Sequence, residues 1–189
     1  ARKIAESITN NQVKVENIFE LKPQTWLGVA AKVLLDTGES ATNYHDIAKL
    51  ATQFHDTSGS TPHETIAKDI RTDIEKYGDD SFFTHPSDGM YGLKVPTTFV
   101  KAAEIILLAE HQPLHTDKIT EIAISKTMIR QNEQAGITPT RSMNQVITQD
   151  IANDPNNSTF VQTHPGTYVL RKQIMEKVQE EEHFIRKVT

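Results

Sequence analysis

The chain has 189 residues, 37% hydrophobic and 24% charged, with 8 Gly, 8 Pro and a formal charge of −5. This is the composition of a soluble globular protein with room for one large core or two small ones. Zero cysteines exclude a disulfide framework, a zinc finger and a thiol nucleophile, and leave an intracellular location as the default. The acid excess excludes a strongly basic non-specific nucleic-acid binder.

In chain order, residues 1–24, with Ile4, Ile8, Val13, Val15, Ile18 and Phe19, read as an N-terminal extension: a short helix and an extended piece packed on the unit that follows. From Thr25 the chain repeats itself. Residues 25–94 and 98–172 carry the same order of segments, and Pro62 and Pro139, Ile74 and Ile151, Gly89 and Gly166, and Tyr91 and Tyr168 share one constant offset. Val95, Pro96 and Thr97 form the short linker.

Each copy opens with an apolar stripe at helical spacing, Trp26, Ala30, Val33 and Leu34 in the first and Phe99, Ala103, Ile106 and Leu107 in the second. This predicts an amphipathic helix facing its own core, the first ended by Gly38. A polar second helix follows, Tyr44 to Gln53 with Ile47 and Leu50 inward, and Thr116 to Lys126 with Ile119 and Ile122 inward. The third helix starts at Thr61-Pro62 and at Thr138-Pro139, where threonine caps the free amides and proline takes the first helical position. Its core stripe is Ile66, Ile70 and Ile74, then Met143, Ile147 and Ile151. Two strands close each copy, Ser81 to Thr84 with Met90 to Lys94, and Thr159 to Thr163 with Thr167 to Arg171, joined by Pro- and Gly-bearing turns. Phe83, Tyr91, Phe160 and Tyr168 read as core of the hairpins. Gln173 to Lys187 reads as a charged C-terminal helix within 173–189, a link to a further domain.

The predicted fold is mainly α with short β-hairpins, an α+β protein of two tandem winged helix-turn-helix domains. In that architecture the third helix enters the major groove and the hairpin touches backbone or minor groove. The outward face of the third helix in the second copy offers Thr140, Arg141, Asn144, Gln145, Thr148 and Gln149, with no acid before Asp150; these side chains make the hydrogen bonds that base edges and phosphates accept. In the first copy His63, Lys68, Arg71 and Lys76 alternate with Glu64, Asp69, Asp73 and Glu75. Residues 25–94 hold 6 Lys and Arg against 11 Asp and Glu, whereas residues 98–172 hold 7 of each. The second copy is therefore expected to contribute more nucleic-acid affinity. Both wings carry Thr-His-Pro, which places His85 and His164 at the duplex or, equally, on the preceding Phe83 and Phe160; Arg171 and Lys172 follow the last strand.

The Thr-Pro start of helix three, its Asp-Ile end at Asp73-Ile74 and Asp150-Ile151, and the Phe to Gly-x-Tyr-x-Leu hairpins at Phe83 to Leu93 and Phe160 to Leu170 resemble the HARE-HTH winged-helix family. The resemblance spans residues 25–172. It implies kinship with domains of restriction enzymes, of chromatin proteins similar to the additional-sex-combs-like group and of the delta subunit of bacterial RNA polymerase, and with a proposed role in sensing DNA, modified bases included. Two copies resemble the DNA-reading front end of a restriction-type enzyme more than the polymerase subunit.

No catalytic constellation accompanies these features. The lone Glu-x-Lys, Glu20 to Lys22, has no preceding Asp, and His111 and His115 are separated by Pro113, so they read as loop residues and not as a metal-binding helix face. No glycine-rich phosphate loop occurs. The expectation is a non-enzymatic chain without cofactor or metal, cytoplasmic or nucleoid-associated in a bacterium. It would bind double-stranded DNA as the recognition part of a larger restriction-type nuclease, with a catalytic domain downstream. The alternative is a protein-interaction module in a transcription or chromatin assembly.

Overall fold

The computed structural model describes residues 19–21, 24–54, 61–129 and 138–176. The chain is α+β, with six α-helices among the described residues and small antiparallel sheets: β1 (Phe19–Leu21), α1 (Trp26–Thr37), β2 (Thr42–Asn43), α2 (Tyr44–Ala51), α3 (Pro62–Tyr77), β3 (Phe83–Ser87), β4 (Met90–Leu93), α4 (Phe99–Glu110), β5 (Leu114–His115), α5 (Thr116–Ser125), α6 (Pro139–Asn153), β6 (Phe160–His164), β7 (Thr167–Leu170) and β8 (Ile174–Glu176). The order helix, strand, helix, helix, strand, strand occurs twice. Two three-stranded sheets result, β2-β4-β3 and β5-β7-β6, each with the return strand of the hairpin in the centre. The two-residue strands β2 and β5 are additions to the predicted hairpins.

The first helices differ from expectation in a way that defines the architecture. Val29, Ala30, Ala31, Val33, Leu34 and Leu35 are all buried in α1, as is every residue from Ala102 to Ala109 in α4. A single apolar stripe would leave a solvated face; here the second face of each helix is covered by the other helix, so α1 and α4 pack together at the junction between the halves. Small residues allow the close approach, since a Cβ on Gly28 would lie 3.1 Å from the Leu108 carbonyl oxygen. Polar contacts flank the seam: Lys32 Nζ meets Glu110 at 2.7 Å and Asp36 at 3.3 Å, and Gln24 donates to the Ala109 carbonyl at 3.2 Å. Burial, the largest influence on Lys32, pulls its ammonium down, yet Glu110 and Asp36 outweigh it and hold the group above its ordinary value.

Around this centre each half closes its own core as predicted, with Ile47, Ile66, Ile70, Phe83 and Tyr91 fully buried in one and Ile119, Met143, Ile147, Phe160 and Tyr168 in the other. Each fully buried aliphatic or aromatic side chain contributes about 1.5–3 kcal/mol, which holds the short helices on α1 and α4.

The ends depart from the prediction. Ile174–Glu176, placed in a C-terminal helix by the sequence, is a strand paired antiparallel with Phe19–Leu21. The extended piece of the N-terminal segment therefore joins the C-terminal one instead of packing on the first half alone. Residues 1–18 and 177–189, which carry the remainder of both assignments, lie outside the described residues.

Candidate nucleic-acid interface

Helix α6 begins where Thr138 accepts a hydrogen bond from the Arg141 amide through its side chain, with Pro139 in the first turn. Thr61, expected to act alike, makes no such cap; its hydroxyl donates instead to Glu64 Oε2 at 2.8 Å. With Met143 and Ile147 turned into the core, Thr140, Arg141, Asn144 and Thr148 line one side of an open concavity of about 590 Å³. The hairpin supplies Gln162, Pro165, Gly166 and Tyr168 to the other side, and His115 and Thr116 close one end. Arg141 is exposed, and Gln145 and Gln149 are exposed on the same helix.

Two of these polar residues are tied down. The Tyr168 hydroxyl donates to Asn144 Oδ1 at 3.0 Å. Burial pushes the Tyr168 phenol above its ordinary value, so it stays a neutral donor at physiological pH. Thr148 donates back to the Asn144 carbonyl at 2.8 Å, leaving its oxygen lone pairs toward the concavity.

The hairpin is held against α6 by Asp150. Its carboxylate accepts from the Ser158 hydroxyl and, at 3.1 Å, from the Thr159 amide, while Ser158 Oγ accepts from the Phe160 amide at 3.1 Å. Asp73 and Ser81 repeat the arrangement at 2.6 Å in the first half, with the Phe83 amide bonded to Ser81 Oγ at 3.1 Å. The Asp-Ile ending of the third helix is thus explained: the aspartate fastens the serine that begins the hairpin.

Arg171 and Lys172 turn out to be placed away from the concavity. Arg171 donates from Nε to the Ser158 carbonyl at 2.7 Å and from its terminal nitrogen to the Pro155 carbonyl at 2.8 Å. That binds the loop beyond the C-terminal end of α6, whereas Arg141 is at the N-terminal end of a 15-residue helix about 22 Å long. Lys172 lies over the Phe82 ring, 5.6 Å from its centroid, in a cleft of about 760 Å³ between the halves.

The repeated Thr-His-Pro triplet also changes meaning. Phe83 pairs with Leu93 and Phe160 with Leu170, and Ser87 pairs with Met90 as His164 does with Thr167. His85 therefore occupies the position of Gln162, and His164 that of Ser87; the triplets are two residues out of structural register. The His85 ring stacks on Tyr91, centroids 4.8 Å apart and planes within 15°, and not on Phe83. His164 is exposed at the end of β6, next to the turn.

In the first half His63 stands where Thr140 stands in the second, and its ring contacts His45 at 4.7 Å and Tyr44 at 6.0 Å. Glu64 and Ala67 replace Arg141 and Asn144. Lys68 and Arg71 are exposed on α3. Another flank of α3, through Asp69, Thr72, Asp73 and Lys76, lines the cleft opposite Lys101 and Glu104 of α4. Burial raises the Asp69 and Glu104 carboxyls above their usual range, with Lys68 opposing in the first case and Lys101 in the second. Part of the first half's third helix is thus turned toward the second half.

Sequence reasoning missed two contributors to the concavity. His115 is the N-cap of α5, its ring nitrogen accepting from the Asp117 amide at 3.3 Å, and Tyr168, assigned to the core alone, carries the hydroxyl that holds Asn144. His111 closes α4 in a left-handed conformation, and its ring lies 3.1 Å from Gln173 Nε2. Among the described residues no group of three or more His, Cys, Asp or Glu is arranged to hold a metal, and no helix is long and apolar enough to cross a membrane.

No curated protein and no solved structure matches the chain. One family does, over residues 97–173: HARE-HTH, the helix-turn-helix domain of ASXL proteins and restriction endonucleases. The matched segment begins at the linker before α4 and ends at the turn after β7, so it takes in the whole second half, the concavity included. The family is a winged-helix family that binds DNA, and a helix–hairpin concavity with Arg141 at its rim is what such a fold offers a duplex. Residues 97–173 are a HARE-HTH winged-helix domain.

Proposed function

We propose that the chain binds duplex DNA through the second half, with the N-terminal half of α6 in the major groove and the β6–β7 hairpin on the adjoining backbone. The observation that carries this reading is the concavity between α6 and the hairpin, lined by hydroxyls, amides, an imidazole and one guanidinium with no acidic lining residue. Groups of this kind serve phosphate and base-edge contacts without repelling phosphate. Arg141 and His164 are assigned to phosphate, and Thr140, Asn144, Gln145 and Thr148 to the base edges and adjoining backbone.

Residues 25–94 form, in this reading, a second and divergent winged-helix unit, so that the protein is a tandem. Glu64 in place of Arg141 and the acid excess of this half assign it a lesser share of DNA affinity, through Lys68, Arg71, His63 and His85. The family description includes a restriction endonuclease domain, which supports placing the tandem as the recognition region of a restriction-type nuclease, sensitive to sequence or base modification, with catalysis elsewhere. A second reading, a protein-interaction module in a transcription or chromatin assembly, is favoured by the charge of the first half.

Fluorescence anisotropy against duplex pools, unmodified and carrying cytosine or adenine modifications, at two salt concentrations separates the readings. Phosphate contacts make log affinity fall with log salt at a slope of about −0.9 per contact. Absence of binding at low salt to every pool rejects the DNA reading and leaves the protein-interaction module.

A further inference from the structure

The proposed DNA interface contains one side chain whose orientation is fixed before any ligand arrives. Asn144 is half-buried in the middle of α6, a place where asparagine costs helix stability relative to alanine. The structurally equivalent residue of α3 is Ala67, fully compatible with helix and 4% exposed. Asn144 lines the concavity and accepts the Tyr168 hydroxyl hydrogen bond on Oδ1 at 3.0 Å. Tyr168 cannot swing to follow a ligand, since the residue is 1% exposed and packed in the core.

An amide oxygen has two lone pairs and the amide nitrogen two protons. Tyr168 consumes one lone pair. The remaining acceptor and donors of Asn144 form the complement of adenine in the major groove, which presents the N6 amino group as donor beside N7 as acceptor. Guanine presents O6 and N7, two acceptors, and leaves the amide oxygen facing another acceptor.

We propose that Asn144 is the specificity-determining residue of this domain, reading an adenine through N6 and N7, and that Tyr168 is its positioning residue. The proposal rests on the DNA reading above. In the first half the hydroxyl-to-amide pair has no counterpart: Ala67 has no amide, and Tyr91 is covered by the His85 ring. Base reading is therefore a property of the second half alone.

The test uses the full chain. Selection from a randomised duplex library is run with the wild type, Asn144→Ala and Tyr168→Phe, followed by anisotropy on the selected site with one adenine replaced by 7-deazaadenine. The wild type is expected to select a site with a defined adenine, and loss of its N7 to weaken binding about tenfold, the scale of one bidentate base contact. Asn144→Ala is expected to lose that adenine from its selected sites while still binding duplex with an unchanged salt slope. Tyr168→Phe keeps the buried ring, and is expected to broaden the preference at that one position without changing the others. A selected site that is the same for the wild type and Asn144→Ala overturns the inference while leaving duplex binding intact. Equal selectivity of Tyr168→Phe overturns the positioning role. Failure of the wild type to bind any duplex overturns the DNA reading and this inference with it.

Discussion

The His115 ring lies directly over Gly166: a Cβ built on that glycine would stand 2.6 Å from His115 Nε2. Gly166 is also in the left-handed region, at φ 71, which costs an L-residue about 1–2 kcal/mol. Its counterpart Gly89 has φ 68 and only the Tyr44 ring at 3.3 Å. Gly166→Ala is therefore expected to destabilise the protein more than Gly89→Ala does, by the clash added to the same backbone strain. Chemical denaturation of both variants, and of Gly166→Ala combined with His115→Ala, checks this. The double variant should recover the difference and keep the strain; equal losses for the two glycines would mean that His115 yields freely.

Arg141 and Arg171 are both arginines of the second half, and the structure gives them different work. Arg141→Ala is expected to weaken duplex binding and to reduce the salt slope by about 1, the signature of one lost phosphate contact, with little effect on stability at an exposed site. Arg171→Ala is expected to cost about 1–3 kcal/mol of stability, because two carbonyls lose charged donors, and to leave the slope unchanged. Arg71→Ala is expected to fall between wild type and Arg141→Ala in affinity. Anisotropy with denaturation on the same samples decides. An equal affinity loss at Arg71 and Arg141 counts against the asymmetry between the halves.

Much of this architecture was legible because its signals are local. Thr138-Pro139 marks a helix start by capping and fixed φ, and Met143 and Ile147 announce the buried side of α6 by their spacing. Tertiary facts were not legible in the same way. The near-continuous burial of α4 depends on α1 lying against it, which the apolar stripe of neither helix states. β2 and β5 are too short to show alternation. The Thr-His-Pro triplets matched as letters, yet strand pairing is set by Phe83 and Phe160, and counting from them moves the two histidines apart. Arg171 looked free for DNA in sequence because its acceptors are backbone carbonyls, which carry no residue signature. Tyr168 was recognised as core from its apolar ring, and the reach of its hydroxyl to Asn144 follows only from the packing of β7 beside α6.

Asp150 joins the end of α6 to the start of the hairpin through two hydrogen bonds on one carboxylate. Removing it leaves the Ser158 hydroxyl and the Thr159 amide without that acceptor, the situation in which a part-buried hydrogen bond to a charge is worth about 1.5–3 kcal/mol. Asp150→Ala is expected to lose about that much, and Ser158→Ala less, because the Thr159 bond survives. Since the hairpin forms one wall of the concavity, Asp150→Ala is also expected to weaken duplex binding under conditions where it remains folded. Hydrogen exchange of β6 and β7 amides would show the hairpin loosened in Asp150→Ala first. Unchanged protection there would mean that Asp150 does not fasten the hairpin.

Glu104 carries a pH dependence whose sign follows from its burial. It is 8% exposed in α4, and desolvation raises its carboxyl above the ordinary glutamate range even though Lys101, 3.4 Å away, and Lys172 pull it down. A carboxyl with a higher pKa in the folded state holds its proton longer than in the unfolded chain. At acid pH both states are protonated and the group contributes nothing to the difference. As pH rises through the unfolded and then the folded value, the unfolded chain ionises first and stability falls, reaching its full cost above the folded value. Glu104→Gln, which keeps the shape and removes the ionisation, is expected to raise the melting temperature near pH 7 and to leave it unchanged near pH 3. Thermal denaturation of the two proteins across that range checks it. A variant less stable than wild type at pH 7 would mean that the Lys101 ion pair outweighs desolvation, and that the carboxylate helps to hold the cleft between the halves.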